Sequence, residues 1–349
     1  MLEFLLQKNL LFAIWSFPGE QQWQGIAQDD QEVEHLDLID IDKAEGFVVA
    51  PFESKDGISL IRADINFNSK NFSLESESEE NTHDLNLETI IKEPFAIDKN
   101  SYIESCKNLI ESIKKGEAEK VVLSRVKSKA FDTDKLIRFF KALIKEQQKA
   151  MVFMYSTGNG VWVGASPEVL IEIKKDRFKT MALAGSKSVD DDSDWGDKEL
   201  DEQLYVTRFI QQKLNNAGIV YVESELKTIA AGPVAHLQTI FTGKIKNKQL
   251  PELIAQLHPT PAVCGIPKEK ALELIRESES HLRGDYSGYI GPVKKGDLSL
   301  FVNLRSALLT SKKMHLFIGG GITSGSNPEK EWDETELKAE TLLKCYKNC

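Results

Sequence analysis

Glu202 lies in the segment KELDEQLYVTRFIQQ. At about 100° per residue it falls within about 40° of Val206 and Phe209, in the helical stripe that should face a core. A carboxylate there is costly unless it is paired or bound to a metal. The plain reading is a buried salt bridge, and the functional one is a ligand to a hard cation. Near the end of the chain, Glu331, Glu334 and Lys338 stand at i, i+3 and i+7, within an arc of about 60°. That arc adjoins the stripe of Trp332, Ala339, Leu342 and Leu343. Ion-paired, solvated edges of this kind are common. Alternatively, the carboxylate pair helps Glu202 hold a divalent cation through oxygen ligands.

The run FIGGGITSG does not make a nucleotide loop, because G-x-G-x-x-G needs glycine where Ser324 stands, and no G-x-x-x-x-G-K-[ST] is present. It reads as a strand followed by Gly319, Gly320 and Gly321, either a plain turn or a place where backbone N–H groups approach an anion. Arg305, in LFVNLRSALL, shares a strand face with Phe301 and Asn303 and asks for a planar anionic partner. Lys120 opens KVVLSRV, either solvated or, at the edge of a buried site, able to serve as a base. His258 precedes a proline in LHPTPAV and so lies in extended or turn structure, where a structural role is the commoner one.

The elements that must position these residues are partly legible. Tyr102 to Lys115 reads as a helix, and Lys120 to Val126, Met151 to Ser156 and Val161 to Gly164 read as strands. Val169 to Ile173 follows a Ser-Pro-Glu turn, and Leu200 to Asn215 is helical. Leu298 to Leu309 and Met314 to Ile318 read as two further strands. A closing helix runs from Pro328 to Tyr346, with Ser326 or Asn327 as its cap. Strands come in runs and pairs, which predicts an α+β fold with largely antiparallel sheets. The polar stretch Ser69 to His83 reads as an exposed loop, and no linker divides the chain.

The chain of 349 residues has 41% hydrophobic and 28% charged side chains, within the range of a folded globular protein. Its net charge of −10 argues against nucleic acid or an anionic membrane as a partner, although a local pocket can still be basic. The apolar run Leu10 to Trp15 is far below the roughly 20 residues of a membrane span. No signal peptide is read at the start, and the four dispersed cysteines complete no zinc site, so a reduced, cytoplasmic protein is expected.

In combination and order, these segments resemble one family, the chorismate-utilising enzymes. The matching segments are KVVLSRV (120–126), VGASPEVLI (163–171), MALAGS (181–186), KELDEQ (198–203) and LHPTPAVCGIP (257–267). FVNLRSAL (301–308), FIGGGITSGSNPEKEW (317–332) and DETELKAETLL (333–343) follow in the family's order. The resemblance implies one α+β domain of two packed antiparallel sheets with helices outside. Residues 96–349 would be the catalytic core, and 1–95 a variable part of the same domain. It implies Mg²⁺-dependent chemistry on chorismate, a small dicarboxylate.

The family's general base falls on Lys120, its general acid on Glu168 and its metal ligands on Glu202 and Glu334, with Glu331 close by. Substrate carboxylates would be held by Arg305, Lys338 and N–H groups around Gly319 and Gly321. Gly185 and Ser186 would line the ring, with His258 near the reacting carbons. Members that use ammonia usually carry glutamine at the position of Lys120, so lysine implies that water adds at C2 as the C4 hydroxyl departs. A rival branch with the same lysine goes on to eliminate pyruvate, and a silent chorismate-binding protein is a third alternative. A nucleophilic lysine of another branch is absent, since Ala184 stands at its position. The chain departs from the family pattern at Gln203, often histidine, and at Lys187 to Asp190. A monomer without a glutamine-hydrolysing partner is expected.

Overall fold

Strand Met151–Ser156 shows how the sequence builds the layers: Val152 and Met154 pack outward beneath helices, while Met151, Phe153 and Tyr155 point the other way. Both faces are apolar because both are covered. The computed structural model describes residues 2–53, 57–72, 93–158 and 160–349. Two sheets of nine and ten strands stack face to face, and all their strand pairs are antiparallel. The side chains between them include Trp15, Phe47, Phe153, Tyr155, Phe301 and Phe317. Helices Leu136–Glu146 and Pro328–Lys347 cover the outside of the first sheet, and Asp197–Asn216 and Leu250–Leu257 cover the second.

The first 95 residues are woven into both layers. Strands Phe12–Ser16, Gln24–Ala27 and Ile65–Asn68 join the first sheet, and Glu34–Leu36, Glu45–Ala50 and Ile58–Arg62 join the second. Of the expected loop Ser69 to His83, Ser69 is half-buried, Lys70, Asn71 and Phe72 are exposed, and residues 73–83 lie outside the described residues. Among the described residues no helix is long and apolar enough to cross a membrane.

Three expectations are corrected. Leu298 to Leu309 is not one strand: Asp297–Val302 belongs to the second sheet and Ser306–Leu309 to the first. The chain crosses between layers at 303–305, where Arg305 takes a left-handed φ of 49°. Apolar alternation runs through the crossing unbroken, so the pattern cannot show it. Gly319, Gly320 and Gly321 do not follow a strand; they lie inside Lys313–Ile322, paired with Ser124, Leu123 and Val122. His258 does not line the cavity formed by the other candidates, because its ring is turned towards Phe52 and Tyr289.

Candidate active site

Two neighbouring crossovers between the sheets carry two of the candidate residues. Strand Val161–Ser166 belongs to the first sheet and Val169–Lys174 to the second, so Glu168 sits on the step between layers. The 303–305 crossover runs beside it. Ser166 Oγ donates to Val302 O (2.5 Å), Val302 N to Glu168 O (3.0 Å) and Ala165 N to Arg305 O (3.1 Å). Each step is thereby pinned by the other. A β-bulge between Val169 and Ile171 and a second between Ala184 and Lys187 open the ladder nearby. Gly185 adopts φ 65° in the second bulge.

The crossovers, the bulge and the strand ends form the walls of a cleft. Lys120, Glu168, Gly185, Ser186, Glu202, Arg305, Gly319, Gly321 and Lys338 all line it. The structure therefore brings most of the predicted site residues together. Glu331 and Glu334 stand just behind the lining, over Gly320: a Cβ there would lie 3.6 Å from Glu331 Oε2 and 3.8 Å from Glu334 Oε1. His258 is elsewhere; its Nε2 faces Phe52 O at 3.2 Å and its ring packs edge-on against Tyr289.

The histidine that does line the cleft is His236, on strand Val234–Lys244. Its Nδ1 faces Gly185 O at 2.7 Å, so that nitrogen carries the proton, and Nε2 accepts from Arg305 at 2.7 Å. Burial, reinforced by the Arg305 charge, pushes its pKa down to about 3, so the ring is neutral. Arg305 also donates to Thr341 Oγ1 (2.9 Å) and Ala231 O (3.3 Å). Among the described residues its Nε–H and one further N–H have no acceptor, which leaves two donors for a planar anion.

Lys120 opens the strand Lys120–Ala130 and is almost wholly buried. Its Nζ lies 3.3 Å from Glu202 Oε2. Glycine at 321 makes this possible, because a Cβ would stand 2.7 Å from Lys120 Cε and 2.9 Å from Glu202 Oε2. Glu168 is buried, and Thr260 Oγ1 donates to it at 3.4 Å. Desolvation pushes its pKa up to about 8, partly offset by Thr260 and Lys120. A carboxyl that keeps its proton thus faces the same cleft as an amine, which is the pairing that acid–base chemistry on one small substrate needs.

The three carboxylates named as metal ligands do not converge as an open cage, and among the described residues no ready-made metal cluster is found. Lys198 lies among them, 2.6 Å from Glu331 and 3.5 Å from Glu202. Burial would lower the pKa of this ammonium, but Glu202, Glu334 and Glu331 outweigh burial and raise it. Lys338 donates to Glu334 (2.6 Å) and to Gly319 O (2.9 Å). Burial opposes ionisation of Glu334, yet Lys338 and Lys198 hold it below the usual carboxylate range. Burial and the neighbouring Glu334 push Glu331 up to about 7, and its Oε2 has no hydrogen-bond partner among the described residues. An all-oxygen donor set with one orphaned buried oxygen fits a hard dication, and the Lys198 ammonium places a single positive charge among these carboxylates.

Sequence reasoning missed His236 and Lys198. Both were findable: V-A-H-L-Q places the histidine on one face of an alternating strand, and Lys198 stands four residues before Glu202. The departure at Gln203 has a structural account. Its amide accepts from Ala184 N (3.0 Å) and donates towards Ala182 O (3.3 Å) and Thr239 Oγ1 (3.2 Å), tying the helix to the strands that carry the bulge.

With fold and site in place, the class is defined: residues 9–347 match the family model described as chorismate binding enzyme, and the chain belongs to that family. It is 32% identical over 271 residues to isochorismate synthase MenF of Bacillus subtilis, covering 73% of this chain and 57% of that protein. It is 32% identical over 248 residues to isochorismate synthase EntC of Escherichia coli, covering 66% and 63%. The chain spans about half to three fifths of the length of the first of these curated relatives. The fold is shared with a structure described as a 2,3-dihydroxybenzoate-specific isochorismate synthase, DhbC, from Bacillus anthracis. That match has a TM-score of 0.77 and 24% identity over 99% of each chain.

Proposed function

We propose that this protein is an isochorismate synthase that converts chorismate to isochorismate with Mg²⁺. The observation that carries the reading is the pairing of Lys120 with a largely protonated Glu168 on one cleft, in a chain whose curated relatives include isochorismate synthases. Lys120 takes a proton from a water molecule, whose oxygen forms a bond to C2 of the ring. The ring double bonds shift, the C4–O bond breaks, and Glu168 gives its proton to the departing hydroxyl, which leaves as water. Atoms balance, since one water enters and one leaves.

Arg305, oriented by His236 and Thr341, binds one substrate carboxylate, and Lys338 adds positive charge beside it. Glu202, Glu334 and Glu331 would hold Mg²⁺, which supplies charge that orients and neutralises a carboxylate of the dianion. The reading includes action without a glutamine-hydrolysing partner. It is tested by incubating the purified chain with chorismate and Mg²⁺, without ammonia, and separating the products. Isochorismate in equilibrium with chorismate is expected. Salicylate with pyruvate would move the protein to a lyase, and bound but unchanged chorismate would make it a silent binder.

A further inference from the structure

We infer that Arg283, with Glu279, is a positioning residue that sets the spacing between the proton-accepting strand and the loop that holds the proton donor; the inference rests on the function proposed above. Arg283 is buried in the segment after helix Lys268–Ser278 and lies outside the cleft lining. Its Nε and one terminal nitrogen grip the two oxygens of Glu279 at 2.9 and 2.6 Å. The guanidinium also donates to Val263 O (2.7 Å) and Val122 O (2.8 Å), and it stacks on Phe52, 4.3 Å from the ring centre.

The backbone explains why a charged pair is buried here. Among the described residues, strand Lys120–Ala130 is flanked on its outer edge only by the two-residue strand Gly265–Ile266, opposite Val121 and Lys120. Val122 N still reaches Cys264 O at 2.7 Å, but the next groups on that edge have no strand to pair with among the described residues. Arg283 donates to Val122 O, and Glu279 Oε1 accepts from Ser124 N at 2.7 Å. The ion pair thus continues the ladder with one donor and one acceptor where a third strand would stand.

The same guanidinium ties two walls of the site. Val122 is two residues from Lys120 on the same strand, and Val263 is three residues from Thr260, which donates to Glu168. Val122 and Val263 both line the cleft. Holding both carbonyls from one planar fork fixes the distance between these walls, and lysine cannot reproduce that fork.

The test compares the full wild-type chain with Arg283→Lys and Glu279→Gln. The readouts are turnover of chorismate with Mg²⁺, chorismate affinity by calorimetry, and thermal unfolding. In folded Arg283→Lys, kcat is expected to fall about tenfold or more, because small misplacements of reacting groups are expensive. KM and affinity should stay within about threefold, since the groups that grip substrate are untouched. Glu279→Gln should move the same quantities in the same direction by less, and it decides the outcome if Arg283→Lys does not fold. A folded variant with wild-type kcat, or with kcat and affinity lost together, overturns the inference. A wild-type chain that leaves chorismate unchanged overturns the functional reading itself, a pattern distinct from either.

Discussion

Lys120 and Glu202 meet at 3.3 Å inside the cleft, and they can do so only because residue 321 has no side chain. The amine comes from a strand of one sheet and the carboxylate from a helix packed on the other, so their contact spans the two layers. In the proposed reaction, proton transfer and cation binding would be coupled through this one pair of side chains.

Replacing Lys120 with alanine should abolish hydration and leave Mg²⁺-dependent chorismate binding largely intact. A loss of about 10²–10⁴ in kcat is expected for a general base. Product chromatography with binding calorimetry reads the two effects separately, and equal turnover in the variant removes Lys120 as the base.

Glu202→Gln should weaken metal affinity by about tenfold or more, by removing a charge that would hold the ion in the proposed site. Titration of Mn²⁺ by electron paramagnetic resonance, with chorismate present, measures this without turnover. An unchanged affinity would make Glu202 a structural carboxylate paired with Lys120 and Lys198.

Gly321→Ala should damage activity more than stability. Its methyl group would press on Lys120 and Glu202 at 2.7 and 2.9 Å, displacing both. Overpacking of this kind costs about 1–3 kcal/mol of stability, while a shift near 1 Å at the reacting groups costs about 10²-fold in rate. Steady-state kinetics beside thermal unfolding checks the contrast.

The pH dependence follows from Glu168. A carboxyl with its pKa pushed up to about 8 holds the proton it must donate below that pH and loses it above. The rate should therefore fall on the alkaline side of about pH 8. His236, pushed down to about 3, stays neutral throughout and adds no limb near neutrality. A kcat/KM that stays level from pH 7 to well above 9 would rule out Glu168 as the acid.

Much of the site was legible because its residues violate local expectation. Glu202 occupies a core-facing position, Arg305 interrupts an apolar run, and three consecutive glycines leave room for close approach to the backbone. Helix 328–347 was readable to within a residue, with Asn327 capping it through the N–H groups of Glu329 and Lys330. The crossovers at Glu168 and Arg305 were not legible, because switching sheets changes a strand's neighbours without changing its alternation. His258 illustrates the opposite failure. It stands in a motif that points to the site, yet cavity lining is decided by which strand faces inward, and that favours His236.

The role proposed for Lys120, directing water to C2 as the C4 hydroxyl leaves, is tested most directly by running the reaction in ¹⁸O-labelled water. Isochorismate is then analysed at early times by mass spectrometry. One ¹⁸O is expected in the new product, at the C2 hydroxyl, and little or no isochorismate is expected from Lys120→Ala. Unlabelled isochorismate would mean that the hydroxyl migrates within the substrate, and it would contradict the roles given to Lys120 and Glu168.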